Sequence, residues 1–183
     1  MANVKLKKLF EKITSKFLDF EKIGMAAEIH GKNSAGTGDC SLAKQTYKNP
    51  LSGQCSGILY GADGTPTTAS TSTQQNDLYV ITPSTGKIKI LEAGHYLVIA
   101  SVYGYTGFTA EDRLDFRVQV NGSNDSRFFA RERMSGIYQI IYMVRTYRAE
   151  ANDELNIAVT NYEAARGIVP SSLPTTLQVM RLK

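Results

Sequence analysis

Apolar and polar residues alternate with a two-residue period along much of the C-terminal two thirds of the chain. In RLDFRVQVNG, Leu114, Phe116, Val118 and Val120 fall on one side and Asp115, Arg117 and Gln119 on the other, ahead of an Asn-Gly pair. Successive side chains of an extended chain point to opposite faces, and Asn-Gly accepts the left-handed conformations of a tight turn, so this segment predicts a strand entering a hairpin. ELNIAVTN repeats the alternation, with Leu155, Ile157 and Val159 against Asn156, Ala158 and Thr160. IYQIIYMVRTYR is dominated by β-branched and aromatic residues, and TTLQVMRL closes the chain in the same style. HYLVIASVYGY follows the breaker Gly94 and is apolar at both parities. Among such neighbours it predicts a strand buried on both faces rather than a helix. About nine strand candidates lie between Cys55 and Lys183 with no helical period between them, which predicts an all-β, antiparallel sandwich or barrel.

The N-terminus follows a different period. Leu6, Leu9, Ile13, Phe20 and Ile23 recur at steps of three and four, with Lys16 where one apolar position is missing, and Phe10 and Phe17 widen the stripe. This predicts an amphipathic α-helix over residues 1–23 that ends at Gly24. A lone helix of this length is marginal in water. Its stripe must therefore pack on its own domain, on copies of itself, on a partner or on a lipid surface. Residues 24–76 are rich in Gly, Ser, Thr and Asn and read as loops, with CSGILYG as the one strand candidate. The predicted organisation is a helix over 1–23, a Gly/Ser-rich connector over 24–54 and a β-domain over 55–183.

Composition narrows the function classes. With 183 residues and 42% hydrophobic content, the chain holds one ordinary domain and an appendage. No stretch has the roughly 20 apolar residues of a membrane span. Charges recur every few residues at the N-terminus, so no secretory signal is read there. Six lysines against three acids place +3 of the net +4 in residues 1–23, leaving +1 for the rest. Nucleic-acid binding by the domain is not expected from that balance.

Candidate chemistry is sparse. GMAAEIHGKN fails as a phosphate-binding loop because its glycines are misspaced and Asn33 replaces the magnesium-binding hydroxyl. Cys40 and Cys55 read as reduced thiols, with a late disulfide as the alternative should the protein act outside a cell after lysis, and His30 and His95 are too few for a zinc site or a catalytic triad. No cofactor, metal or catalytic site is therefore assigned. Glu111, Asp112 and Asp115 have calcium-binding residue types, but without calcium-loop spacing they read as a solvated loop rim. The Asn121 and Asn124 glycosylation sequons carry no weight without a secretion signal.

The order of the β segments resembles that of the C1q/TNF-like jelly-roll domain over about residues 55–183. Gly94 and Tyr96 match the family's G-x-Y strand start, and Asn121-Gly122 its Asn-Gly turn; Asn152-Asp153 replaces a Gly-Asp, and Leu177 stands where an aromatic is commoner. The resemblance implies a two-sheet jelly-roll β-sandwich that assembles as a homotrimer and binds protein or glycan surfaces. MANVKLKKLFEKI also looks like the start of small tail-fibre or minor structural proteins of bacteriophages and prophages of gut Firmicutes. Together these imply a non-enzymatic virion protein, a tail- or head-fibre appendage joined to other virion proteins through its helix and attached to the host surface. A capsid decoration without receptor role, or a bacterial membrane-surface binding module held by the basic helix, are the alternatives. Tyr103, Tyr105 and Phe108 in YGYTGF are candidates for surface contact or for packing at the trimer axis. Arg127, Arg131 and Arg133 in RFFARER are candidates for trimer ion pairs or for a glycan or carboxylate. Every arginine follows residue 112 and every lysine except Lys183 precedes residue 90, a partition that favours a subunit interface in the β-region.

Overall fold

A computed structural model describes residues 7–8, 11–12, 21–31, 40–42, 47–51, 55–104, 112–133, 139–161, 166–168 and 175–183, with backbone alone at 40–42, 104, 139 and 166–168. In chain order the strands are β1 (Ala26–Gly31), β2 (Cys40–Leu42), β3 (Cys55–Tyr60), β4 (Gln74–Gln75), β5 (Tyr79–Thr82), β6 (Lys87–Ile90) and β7 (Gly94–Gly104). They continue with β8 (Arg113–Val120), β9 (Ser123–Arg133), β10 (Gln139–Ala149), β11 (Glu154–Asn161), β12 (Arg166–Ile168) and β13 (Thr176–Arg181). One sheet has the order β10-β7-β13-β1-β3, a second β4-β5-β6-β11-β8-β9, and β12 pairs with β2 in a short ribbon. All pairings are antiparallel.

The core lies between the two main sheets and is built by the period of two. In β8, Leu114, Phe116 and Val118 are buried inward, while Arg117 and Gln119 on the other side are half-buried. Their inward partners include Ile157 and Val159 of β11, Val98 and Ala100 of β7, and Leu177 and Val179 of β13. Phe128 of β9 meets Tyr147 of β10 edge-to-face at 5.4 Å between ring centroids, joining the edges of the two sheets. The Asn-Gly turn forms as predicted. Asn121 and Gly122 have φ of 52° and 74°, and Val120 pairs with Ser123 across it.

Four expectations change. The span read as loop over 24–76 also holds β1, β2 and β4, and β1 lies inside the first sheet between β13 and β3. Its sequence AAEIHG has too few large apolar residues to display a period, yet Ala27 and Ile29 are fully buried. In β11 the polar alternates Asn156 and Thr160 are buried along with the apolar set, Asn156 donating to the Gln119 side chain of the neighbouring β8 at 3.0 Å. β7 is fully buried on its inner side, whereas Leu97 and Ile99 on the outer side are half-buried. The carboxylates Asp112 and Asp115 are not a solvated rim: both are buried, Asp112 accepting a bond from Asn161 at 3.2 Å and Asp115 paired with Arg131. Glu111 lies outside the described residues.

At the N-terminus, residues 7–8, 11–12 and 21 have helical backbone and exposed side chains, and these isolated positions do not make up a helical element. The stripe residues Leu6, Leu9, Phe10, Ile13, Phe17 and Phe20 lie outside the described residues. Ile23 is exposed, and Gly24, at φ 88°, turns the chain into β1. The buried Cys55 carries a thiol that donates to the Leu51 carbonyl.

The Asn152-Asp153 pair closes one end of the sandwich. Asn152 holds φ 74°, the left-handed position that a glycine fills most readily. Asp153 accepts bonds from the Tyr147 hydroxyl at 2.5 Å, the Glu150 amide at 2.8 Å and the Asn121 side chain at 2.9 Å. Burial opposes its ionisation most strongly, but these donors together with the nearby Arg127 guanidinium outweigh it and hold the carboxyl below its usual range. A depressed folded-state pKa stabilises the fold above the unfolded value near ~4, and that stability is lost as pH falls through the folded value. Urea unfolding of Asp153→Asn is therefore expected to show a loss of about 2 kcal/mol at pH 7. It should also show a smaller further loss than the wild type between pH 5 and about pH 2. An equal pH dependence in both proteins would assign the acid sensitivity to other carboxylates.

Candidate functional site

With the inner faces committed to the core, the two outer faces are what the domain presents, and they differ in chemistry. On the outer face of the five-stranded sheet the side chains stand in rows set by register. One row runs Thr146, Leu97, Met180, Ala26 and Tyr60; the next Val144, Ile99, Gln178, Glu28 and Ile58; the third Tyr142, Ser101, Thr176, His30 and Ser56. At the β10 edge Ile140, Tyr142 and Val144 are 46%, 73% and 45% exposed. Beside them Leu97, Ile99 and Met180 are half-buried. Apolar side chains are thus continuous across three strands, which makes this patch the candidate contact surface of the domain.

The β1 side of the same face is polar. Glu28 accepts from the Tyr60 hydroxyl at 3.3 Å and from the Gln178 side chain at 3.5 Å. His30 Nδ1 stands 3.3 Å from Glu28 Oε1 without the geometry of a hydrogen bond. Burial, followed by the Glu28 charge and the bond to Glu28, pushes the Tyr60 hydroxyl pKa up, so Tyr60 remains a donor. The face therefore grades from exposed hydrocarbon at one edge to an organised carboxylate near the other.

The outer face of the six-stranded sheet is rich in arginine. Arg113 pairs with Arg133, Asp115 with Arg131 and Arg117 with Phe129 across β8 and β9. Arg131 forks the buried Asp115 through Nε at 2.5 Å and Nη2 at 2.9 Å. The Arg117 guanidinium lies 4.3 Å from the Phe129 ring centroid and 5.5 Å from that of Tyr47, and its Nε donates to the Tyr47 hydroxyl at 2.7 Å.

The residues singled out in the sequence are dispersed. Tyr103 is buried on β7 of the five-stranded sheet, its amide donating to the Thr175 hydroxyl at 3.1 Å. Tyr105 and Phe108 lie outside the described residues. Arg127 stacks 5.2 Å from the Tyr147 ring centroid and pairs with Asp125, apart from Arg131 and Arg133, although all three come from one heptapeptide. The apolar trio Ile140, Tyr142 and Val144 was missed. Its signal was present, because the strand IYQIIYMV is apolar at both parities.

No family model matches the sequence, and no curated protein matches it. The structure is similar to that of Eiger TNF from S. frugiperda, at a TM-score of 0.58 and 14% identity, covering 88% of this chain and 94% of that one. The chain has a TNF-like jelly-roll fold. A looser likeness is to murine APRIL, with a TM-score of 0.49, 12% identity, and coverage of 86% and 98%. The TNF-like jelly roll accounts for the G-x-Y motif by packing rather than by chemistry. A Cβ on Gly94 would lie 2.6 Å from the Arg181 guanidinium and from the Lys183 carbonyl. Arg181 is buried there, donating to the Tyr96 hydroxyl at 2.6 Å, while Tyr96 donates to the Glu92 carbonyl at 2.7 Å.

Among the described residues of the jelly roll, no group of three or more His, Cys, Asp or Glu side chains is placed to hold a metal, and no helix is long and apolar enough to cross a membrane. The forked pair gives a testable outcome. Replacing Arg131 by Met leaves Asp115 buried without its strongest partner, with an expected loss of about 2 kcal/mol in urea unfolding; the half-exposed arginine keeps this below the cost of a fully buried pair. Adding Asp115→Asn should recover about half of it. No loss on Arg131→Met would show that Asp115 is satisfied without it.

Proposed function

We propose that this chain is the head of a non-enzymatic virion appendage, which self-associates as a homotrimer through the outer face of its five-stranded sheet and attaches to the host surface. The observation that carries the proposal is the uncovered apolar patch formed by Ile140, Tyr142, Val144, Leu97 and Ile99. Covering it removes hydrocarbon from water at about 25 cal/mol per Å², and a second copy supplies a matching surface. The β7 sequence is apolar at both parities, as a strand covered on both sides should be, while within one chain Leu97 and Ile99 on its outer side are only half-buried. The stoichiometry of three comes from the C1q/TNF-like resemblance, and the virion setting from the N-terminal sequence. The described residues support self-association more directly than attachment.

Three copies on one body multiply a weak surface contact into avid attachment, which is the mechanism proposed for the head. In this arrangement the N-terminal segment joins the head to other virion proteins, with its apolar stripe as the docking element. Sedimentation velocity on the full chain at about 10 μM should show a single species of three times the chain mass. Tyr142→Asp with Val144→Asp should shift it towards monomer by at least tenfold in dissociation constant, since each carboxylate would be desolvated at the interface. A wild-type monomer at that concentration would overturn the proposal, and a dimer would overturn its stoichiometry. Co-purification with tail or capsid proteins from lysed, induced cells tests the virion setting.

A further inference from the structure

We infer that Arg145, at the β10 edge of one copy, forms an ion pair with Glu28 on the outer face of the neighbouring copy. The inference deepens the self-association proposal and rests on it. Glu28 shares a row with Val144, Ile99, Gln178 and Ile58 and lies one strand beyond the apolar patch. An interface of about 800 Å² per partner that covers the patch therefore reaches Glu28 as well. Its side chain is 21% exposed, and assembly would remove that remaining water. An ionised carboxylate offers about four acceptor sites. The contacts within the chain are long: 3.3 Å from the Tyr60 hydroxyl, 3.5 Å from the Gln178 side chain and 3.3 Å from His30 Nδ1, the last without hydrogen-bond geometry. Bonds from charged donors run to about 2.7–2.9 Å, so Glu28 has room for a stronger donor and needs one once water is excluded.

The titratable acids and bases that β1, β3, β7, β10 and β13 contribute are Glu28, His30, His95, Arg145, Arg148 and Arg181. Arg181 is buried against Tyr96. Arg148 and His95 are register partners near Gly94, and Arg148 lies four positions along β10 from Val144, about 13 Å from the Glu28 row. Arg145 is one position from Val144, within about 3.4 Å of that row. A ring closed by rotation about an axis along the strands shifts nothing along that axis, so positions of equal height meet. Height therefore selects Arg145. Its parity neighbours Ile141, Met143 and Tyr147 are buried, yet Arg145 itself is exposed, because β10 is the last strand of its sheet. Its guanidinium donates to the Val144 carbonyl at 2.9 Å. Among the described residues it forms no ion pair with Glu150, which follows β10, or with Glu132 of β9, the strand joined to β10 by the Phe128–Tyr147 contact.

The two edges of this sheet are treated differently. At β3 the edge is covered: Gly57 and Ser70 exchange amide bonds at 2.8 and 3.0 Å, and the Thr67 amide donates to the Leu59 carbonyl at 2.7 Å. The eleven residues of β10 pair on one side only, with β7. A long edge strand of this kind invites association. The edge that carries Arg145 is thus the open one, and the carboxylate it would meet lies towards the covered one. A second copy supplies both halves of the contact, hydrocarbon to hydrocarbon and guanidinium to carboxylate. The competing partner for Glu28 is His30 of the same chain, and in that case the charge of Arg145 would not matter to assembly.

Sedimentation velocity of the full chain over a concentration series tests the inference. Arg145→Glu should raise the concentration of half-dissociation about thirtyfold, and Glu28→Lys should do the same. The two together should return it to within about threefold of the wild type, because the pair is restored with its charges exchanged. Arg148→Glu, at the other exposed arginine of β10, should change it less than about threefold. If Glu28→Lys does not fold by circular dichroism, Glu28→Gln and Arg145→Gln should each weaken assembly about tenfold and together no more than either alone. A wild-type trimer indifferent to Arg145→Glu, additive losses without rescue, or rescue of Glu28→Lys by Arg148→Glu instead would overturn the ion pair and leave self-association standing. A wild-type monomer or dimer would remove the ring from which the pairing follows and overturn both.

Discussion

The single apolar layer between the two sheets is the constraint from which the other features follow. A strand has two sides, and in β7, β8, β11 and β13 one side is filled by residues such as Val98, Phe116, Ile157 and Val179, which are buried among one another. Each methylene withdrawn from water there is worth about 0.8 kcal/mol, so register is strongly specified: a slip of one residue would carry Arg117 and Gln119 into the core. Once the inner faces are committed, only the outer faces, edges and ends remain to interact with anything else.

Those outer faces diverge because they answer to different surroundings. On the five-stranded sheet the outward positions of β10 and β7 include the hydrocarbon of Ile140, Tyr142, Val144, Leu97 and Ile99, grading through Gln178 to Glu28 and His30. On the six-stranded sheet they are guanidinium groups steadied by a carboxylate and two rings. The proposed assembly uses the first face and its β10 edge, so three-fold repetition would multiply the second face while burying the apolar one. One end has a structural task. Asp153 ties the two turns at one end, and Arg181, seated over Gly94, fills the same end, where Gly94 pairs with Ala149 just ahead of the Asp153 turn.

Local chemistry made part of this legible in the sequence. The Asn121-Gly122 turn, the alternation in β8 and the β-character of β10 and β13 depend on neighbouring residues and the period of two, and both can be read along a chain. So could the TNF-like order of the segments. The candidate surface was less legible. Arg127, Arg131 and Arg133 look like one cluster in RFFARER, but an irregular register between Arg117 and Gln119 separates Arg127 from the other two. Tyr103 is a buried strand residue, and the exposed trio of β10 went unnoticed because an apolar run reveals burial without revealing what does the burying.

The sequence by itself determined that the C-terminal two thirds form strands, where one hairpin turns and which residues of β8 face inward, because these depend on steric preferences and periodicity within a few residues. Only the tertiary structure decided that β1 enters a sheet between β3 and β13, since strand pairing joins residues from opposite ends of the chain, such as Ala26 and Met180. It alone brought Arg113 opposite Arg133 and buried Asp115 beneath Arg131. Net charge and composition are sums over a chain, whereas a binding surface depends on where the fold puts each charge.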